Sequence, residues 1–125
     1  MLLFRGLHWE KNLSPEEIQQ VMTRWVSWFD KLSEKGILKA GQPLAEEGKI
    51  VSGTGGQSVV DGPFAESKEA IAGYFLLEVE DLDQAVEIAR QCPALEHGLQ
   101  VEVRLVSRCC NAGHIAESLM SSLAD

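Results

Sequence analysis

Asp61 is the acid in this chain whose neighbours best suit it to chemistry, because it opens the rigid turn Asp61-Gly62-Pro63-Phe64. Gly62 reaches backbone angles that other residues avoid, while Pro63 fixes its own φ and biases Gly62 away from helix. Such a turn sets Asp61 and Phe64 in a defined relative geometry. A carboxylate held at a pocket edge in this way can serve as a general base or a ligand anchor. The same residue also suits a turn or helix cap, its oxygens accepting from N–H groups ahead of it. His8, after a short apolar run, is the second catalytic candidate, as the side chain that titrates near neutrality. With no acid assignable to it, His8 has an ordinary surface role as its alternative. Glu102 and Arg104 alternate with apolar residues. An arginine beside an acid either forms a bidentate pair or binds a substrate carboxylate.

Two other patterns fail on spacing. Gly53-Thr54-Gly55-Gly56 lacks both the lysine–hydroxyl pair and the strand-to-helix setting of a phosphate cradle, so it reads as a hairpin tip. Cys109-Cys110 and His114 offer three potential ligands, but adjacent cysteines seldom point at one ion and no fourth ligand has suitable spacing. These thiols read as oxidation-prone chain-end residues. No dinucleotide, phosphate or metal motif is complete, so neither a cofactor nor a metal is expected.

The elements that must position these residues follow from periodicity. Leu2 to Leu7 predicts a first strand, apolar enough to be buried on both faces. Ser14-Pro15-Glu16-Glu17 is a helix start with a capping serine, proline at the first position and glutamate at the third. Ile18, Val21, Met22, Trp25, Trp28, Phe29 and Leu32 then form one apolar stripe, which favours a core face against a sheet over an aromatic ligand box. Gly36 ends this helix. Ile37 to Gly41 predicts a second strand that leaves the sheet near Gly41-Gln42-Pro43. Residues 48–52 and 57–60 predict a hairpin around the glycine tip.

Ala72 to Val79 predicts the third sheet strand, with Phe75, Leu77 and Val79 on one face and Tyr74, Leu76 and Glu78 on the other. Asp81 caps a second helix with Gln84 placed to complete a capping box, and Pro93 stops it. Leu99 to Val106 is the last strand, with Leu99, Val101, Val103 and Leu105 opposed to Gln100, Glu102 and Arg104. The result is an α+β, ferredoxin-like βαββαβ domain with an inserted β-hairpin. Ile115, Leu119, Met120 and Leu123 add a short C-terminal helix. A single domain spans residues 1–125, with its core at about 2–106 and an extension at 107–125. The helices cover one sheet face, which leaves Tyr74, Leu76, Glu78, Glu102 and Arg104 to a wet face or a second subunit.

Several stretches together resemble the YCII-related (DGPF-domain) family: Asp61 to Glu66, Lys68-Glu69, Gly73-Tyr74-Phe75, Asp81 to Ala85 and Val101 to Arg104. The resemblance implies a dimeric α/β-barrel assembly, hence a homodimer enclosing a partly polar pocket between sheets. Some members of that family are proposed to use a histidine on the first helix with an acid near its end. Trp25 or Arg24 occupies the histidine's place here and the acid falls near Glu34, so that chemistry does not carry over intact. Relatives also occur beside or fused to sigma factors, which implies a link to transcription through protein contact.

Composition narrows the partners. Nineteen acidic residues against eleven basic ones give a net charge of −8, which repels phosphate backbones and argues against direct nucleic-acid binding. No run approaches the ~20 apolar residues of a membrane span, and residues 1–7 are too short for a signal peptide. Three cysteines, two of them adjacent, do not make a disulfide framework, so a reducing cytoplasm is expected. Two functions follow. One is binding of a small organic or anionic ligand near Asp61, Phe64, Tyr74, Glu102 and Arg104, with cofactor-independent proton transfer or elimination as its chemistry. The other is a non-catalytic regulatory partner in sigma-factor-dependent transcription.

Overall fold

The computed structural model describes residues 1–6, 8–63 and 70–106. Strand β1 (Leu2–Arg5) lies at the centre of a four-stranded antiparallel sheet with β2 (Leu38–Pro43), β5 (Ile71–Leu77) and β6 (Gln100–Val103), in the order β2-β5-β1-β6. Between β2 and β5 the chain forms a separate two-stranded ladder, β3 (Lys49–Ser52) with β4 (Ser58–Asp61). Its tip is a 3-10 turn at Thr54–Gly56, where Gly53, Gly55 and Gly56 all take positive φ. Helix α1 (Pro15–Glu34) follows β1, and helix α2 (Leu82–Ala89) follows β5. This is the ferredoxin-like α+β order. Among the described residues, no helix is long and apolar enough to cross a membrane.

The capping signals act locally. Ser14 Oγ accepts the Glu17 N–H at 3.2 Å, and the Glu17 carboxylate accepts the Ser14 N–H at 3.2 Å, closing the expected box. At α2, the Asp81 carboxylate accepts the Gln84 N–H at 2.8 Å. The Gln84 side chain, however, accepts from Glu80 N–H at 2.9 Å and not from the cap residue itself. Helix α2 also ends before Pro93. Its last turn tightens, with Gln91 N–H donating to Ile88 O at 3.1 Å and Cys92 N–H to Ala89 O at 3.1 Å.

Several strand limits differ from the periodicity, each for a pairing reason. β2 does not leave the sheet before Pro43; it continues through it, because β2 is an edge strand and needs no second partner for that residue. β6 stops at Val103 because its partner runs out: Leu2 pairs with Val103, and Arg104 N–H reaches Met1 O. Leu105 and Val106 are consequently exposed. β1 is not buried on both faces. Leu2 and Phe4 are buried, whereas Leu3 and Arg5 are half-buried on the face without helices.

The core forms where both helices meet that sheet. Val21, Trp28 and Leu32 of α1 and Ile88 and Ala89 of α2 close over Leu2, Phe4 and Phe75, with Val101 and Val103 at the margin. Aromatic rings dominate it. Phe4 stands edge-on to Phe75 at 4.9 Å and to Trp25 at 5.0 Å, and Trp28 lies 5.0 Å from Phe75. The two T-shaped pairs of Phe4 stabilise beyond the area they bury. The C-terminal helix expected from Ile115 to Leu123 lies outside the described residues.

Candidate functional site

An apolar concavity lies between α1 and the sheet. A cavity of about 340 Å³ is lined by Phe4 of β1, Met22, Trp25, Val26 and Phe29 of α1, Gly41 and Pro43 of β2, Phe75 of β5, and Trp9 from the loop before α1. Helical spacing explains the α1 contribution. Val21, Trp28 and Leu32 point into the core, while Met22, Val26 and Phe29, at i, i+4 and i+7, run along the flank. The apolar arc of α1 is therefore wider than the core needs. Trp25 sits between the two rows, in contact with Phe4, Trp28 and Phe75 while also facing the cavity. The plain core assignment is thus right for Trp28 and incomplete for Trp25. Val26 is the signal that sequence reasoning missed, since it widens the stripe beyond one buried face.

Glycines set the floor. A Cβ on Gly41 would stand 2.9 Å from Phe75 Cδ1, and one on Gly73 would stand 2.9 Å from Gln42 O. At Gly41 the Phe75 ring occupies the place a side chain would take, and at Gly73 the β2 backbone does. Trp9 forms a side wall, its ring stacked on His97 at 6.2 Å and 26°. His97 Nε2 lies 3.4 Å from Glu96, whose carboxylate accepts from Arg24 Nη2 at 2.7 Å. The Arg24 guanidinium, first through that hydrogen bond and then through its charge, holds the Glu96 carboxyl below the usual carboxylate range.

The residues singled out by sequence fall into two other places. Asp61, at the end of β4, pairs directly across the ladder with Lys49, and its carboxylate is bonded to the Lys49 ammonium. It is therefore not an unpaired carboxylate, and both side chains are exposed. The next peptide, Gly62–Pro63, is cis. Asp61, Lys49, Gly62 and Pro63 border an open depression with Glu46 and Glu47. His8, at a positive φ of 69°, lies 3.6 Å from Glu46. The structure thus brings His8 to an acid on the rim shared with Asp61, a partner that sequence spacing could not assign. Phe64 lies outside the described residues, as do Cys109, Cys110 and His114.

Tyr74, Glu102 and Arg104 lie on the helix-free face of the sheet. Leu3 separates Tyr74 from Glu102, pairing with Tyr74 on one side and with Glu102 on the other. Glu102 is shared: Arg5 Nη1 donates to one oxygen at 2.9 Å and Arg104 Nη1 to the other at 3.3 Å. Tyr74 also belongs to the stretch of β5 that lines the aromatic cavity, though its side chain lies on the opposite face of the sheet. Glu78, expected on this face, is paired with Lys39 at 2.9 Å, whose hydrogen bond and charge hold its carboxyl below the ordinary range. Glu34 closes α1 as an exposed residue.

Among the described residues, no group of three or more His, Cys, Asp or Glu side chains has a geometry suited to a metal ion. The three concentrations of chemistry are therefore an aromatic cavity, an acidic rim at the base of the hairpin, and an arginine–glutamate–arginine bridge on the open sheet.

Comparison with known proteins adds the lineage. A curated relative, an uncharacterised protein of Rhizobium meliloti (strain 1021), is 38% identical over 80 residues, covering 62% of this chain and 64% of that protein. The chain thus matches less than two thirds of that relative's length. The family model of the YCII-related domain matches residues 3–108, which takes in every strand and both helices except the start of β1. On that extent of match, the chain belongs to the YCII-related family.

Proposed function

We propose that this protein binds a small organic molecule in the cavity between α1 and the β2–β5–β1 part of its sheet. One observation carries the reading: Met22, Val26 and Phe29 are 45%, 55% and 37% exposed beside a concavity already walled by Trp9, Trp25 and Phe75. Large apolar side chains left in water around a preformed hollow are the usual form of a ligand site. The described lining supplies no carboxylate, imidazole or thiol. Binding is therefore better supported than catalysis. Proton transfer or elimination by Asp61 or His8 would belong to the acidic rim, where Glu46 is the partner of His8.

The helix-free sheet face, with Leu3, Tyr74 and Leu76 around the Arg5–Glu102–Arg104 bridge, is the surface we assign to a second copy in a homodimer. An antiparallel sheet covered on one side only leaves such a face to solvent or to a partner. A second functional reading, contact with a transcription protein, draws on a different observation. Ile50, Val51, Val59 and Val60 of the β3–β4 ladder are all exposed, two on each of its faces.

Thermal-shift screening of small organic compounds against wild type and Met22→Trp tests the binding reading. Met22 is exposed, so a larger ring there fills the mouth without entering the core. Compounds that raise the wild-type Tm and lose that effect in Met22→Trp are expected. A panel that leaves wild type unmoved overturns the reading.

A further inference from the structure

We infer that the cavity selects an uncharged, planar aromatic compound of one or two fused rings, with Trp9 as the wall against which that ring stacks. The inference rests on the binding reading above and names its ligand class. Size comes first. About 340 Å³ lies near the lower end of ligand pockets, which start at roughly 300 Å³, and so suits one or two rings and not an extended cofactor.

Charge comes next. No charged side chain is among the described lining residues. The nearby cations are engaged elsewhere: Arg24 with Glu96, Lys39 with Glu78, and Arg104 with Glu102. A carboxylate entering this cavity would give up its water without meeting a cation, and an ammonium would meet no anion. Gln42 and Tyr74, cross-strand partners, direct their side chains to the helix-free face, so the polar side-chain groups of the lining are the indole N–H groups of Trp9 and Trp25. These suit a single neutral hydrogen-bonding group.

Ring geometry supplies the preference for planarity. The walls are mutually edge-on, with Phe4–Trp25 at 63°, Trp25–Phe75 at 79° and Phe29–Phe75 at 69°. The lining therefore presents ring faces beside ring edges, and a flat π-system can continue that arrangement where a puckered aliphatic ring cannot. The Trp9 ring lies at 26° to that of His97, which stands beside Glu96, itself paired with Arg24, so the indole already has an aromatic neighbour in the ligand-free protein.

Calorimetric titration of the full chain decides the matter, using indole and 2-naphthol as neutral aromatic probes. Indole-3-acetate and tryptamine are their charged counterparts, and cyclohexanol is the aliphatic control. The neutral aromatics should bind at least about tenfold more tightly than the charged or aliphatic probes. Trp9→Leu should weaken indole while leaving cyclohexanol unchanged, and Met22→Trp should abolish both. Charged or aliphatic probes that bind as well as indole overturn the inference and leave the binding reading standing. Failure of every probe, while other compounds give shifts that Met22→Trp removes, does the same. Silence of the probes and of the wider panel together overturns both.

Discussion

Lys49 stands directly opposite Asp61 at the open end of the β3–β4 ladder, and its ammonium is bonded to the Asp61 carboxylate. Both side chains face water, where an ion pair of this kind contributes less than about 1 kcal/mol. Asp61→Asn should therefore shift urea unfolding by no more than that amount. It should also leave compound-induced stabilisation in the aromatic cavity unchanged. Loss of that stabilisation in a variant that melts normally would instead place Asp61 in the ligand site.

Gly73 should tolerate no side chain. A Cβ there meets Gln42 O at 2.9 Å and Pro43 Cα at 3.2 Å, both backbone atoms of a paired strand, so neither can rotate away. Gly73→Ala should destabilise the fold by about 1–3 kcal/mol, the usual cost of forcing extra atoms into a packed region. Denaturant unfolding of the variant beside Gly36→Ala provides the contrast. Gly36, with φ at +73° and open space around it, pays only for its backbone conformation.

Trp28 places a polar atom where nothing described receives it. The residue is buried, and its indole Nε1 has no hydrogen-bond partner among the described residues. A buried donor left unsatisfied carries a desolvation cost that an apolar ring of similar shape avoids. Trp28→Phe should accordingly change stability little, the lost ring area being offset by removal of the N–H. Trp28→Ala should cost about 3–5 kcal/mol through the cavity it leaves. Equal losses in the two variants would show that the N–H finds a partner after all.

Cys92 should be the protected thiol. Burial pushes it up to about 11 from 9.0, against weaker downward effects of hydrogen bonds at Ala94 and Leu95. The folded state therefore prefers the neutral thiol, while the unfolded chain ionises it from about pH 9. Its contribution to stability is complete below pH 9.0 and is lost as pH rises toward 11. Unfolding free energies measured from pH 8 to 10.5 should fall more steeply in wild type than in Cys92→Ala. Iodoacetamide should leave Cys92 unlabelled in the native protein at pH 8 and modify it after unfolding.

Local chemistry and period were legible in the order of the residues. Ser14 and Glu17 start α1 by accepting each other's N–H, and Pro15 at the first position has no N–H to satisfy. Alternation in β5 and β6 sorted Phe75 and Val103 from Tyr74 and Glu102, and element order then led to the ferredoxin-like sheet. Tertiary structure decided what depends on partners distant in the chain. Register put Lys49 against Asp61 and ended β6 where β1 runs out. Packing buried Trp28 in the core and left Trp25 half-buried at a cavity beside the exposed Met22, Val26 and Phe29. Periodicity reports which face of an element is apolar. How much of that face the rest of the fold covers is a matter of packing, and here the uncovered part is the candidate site.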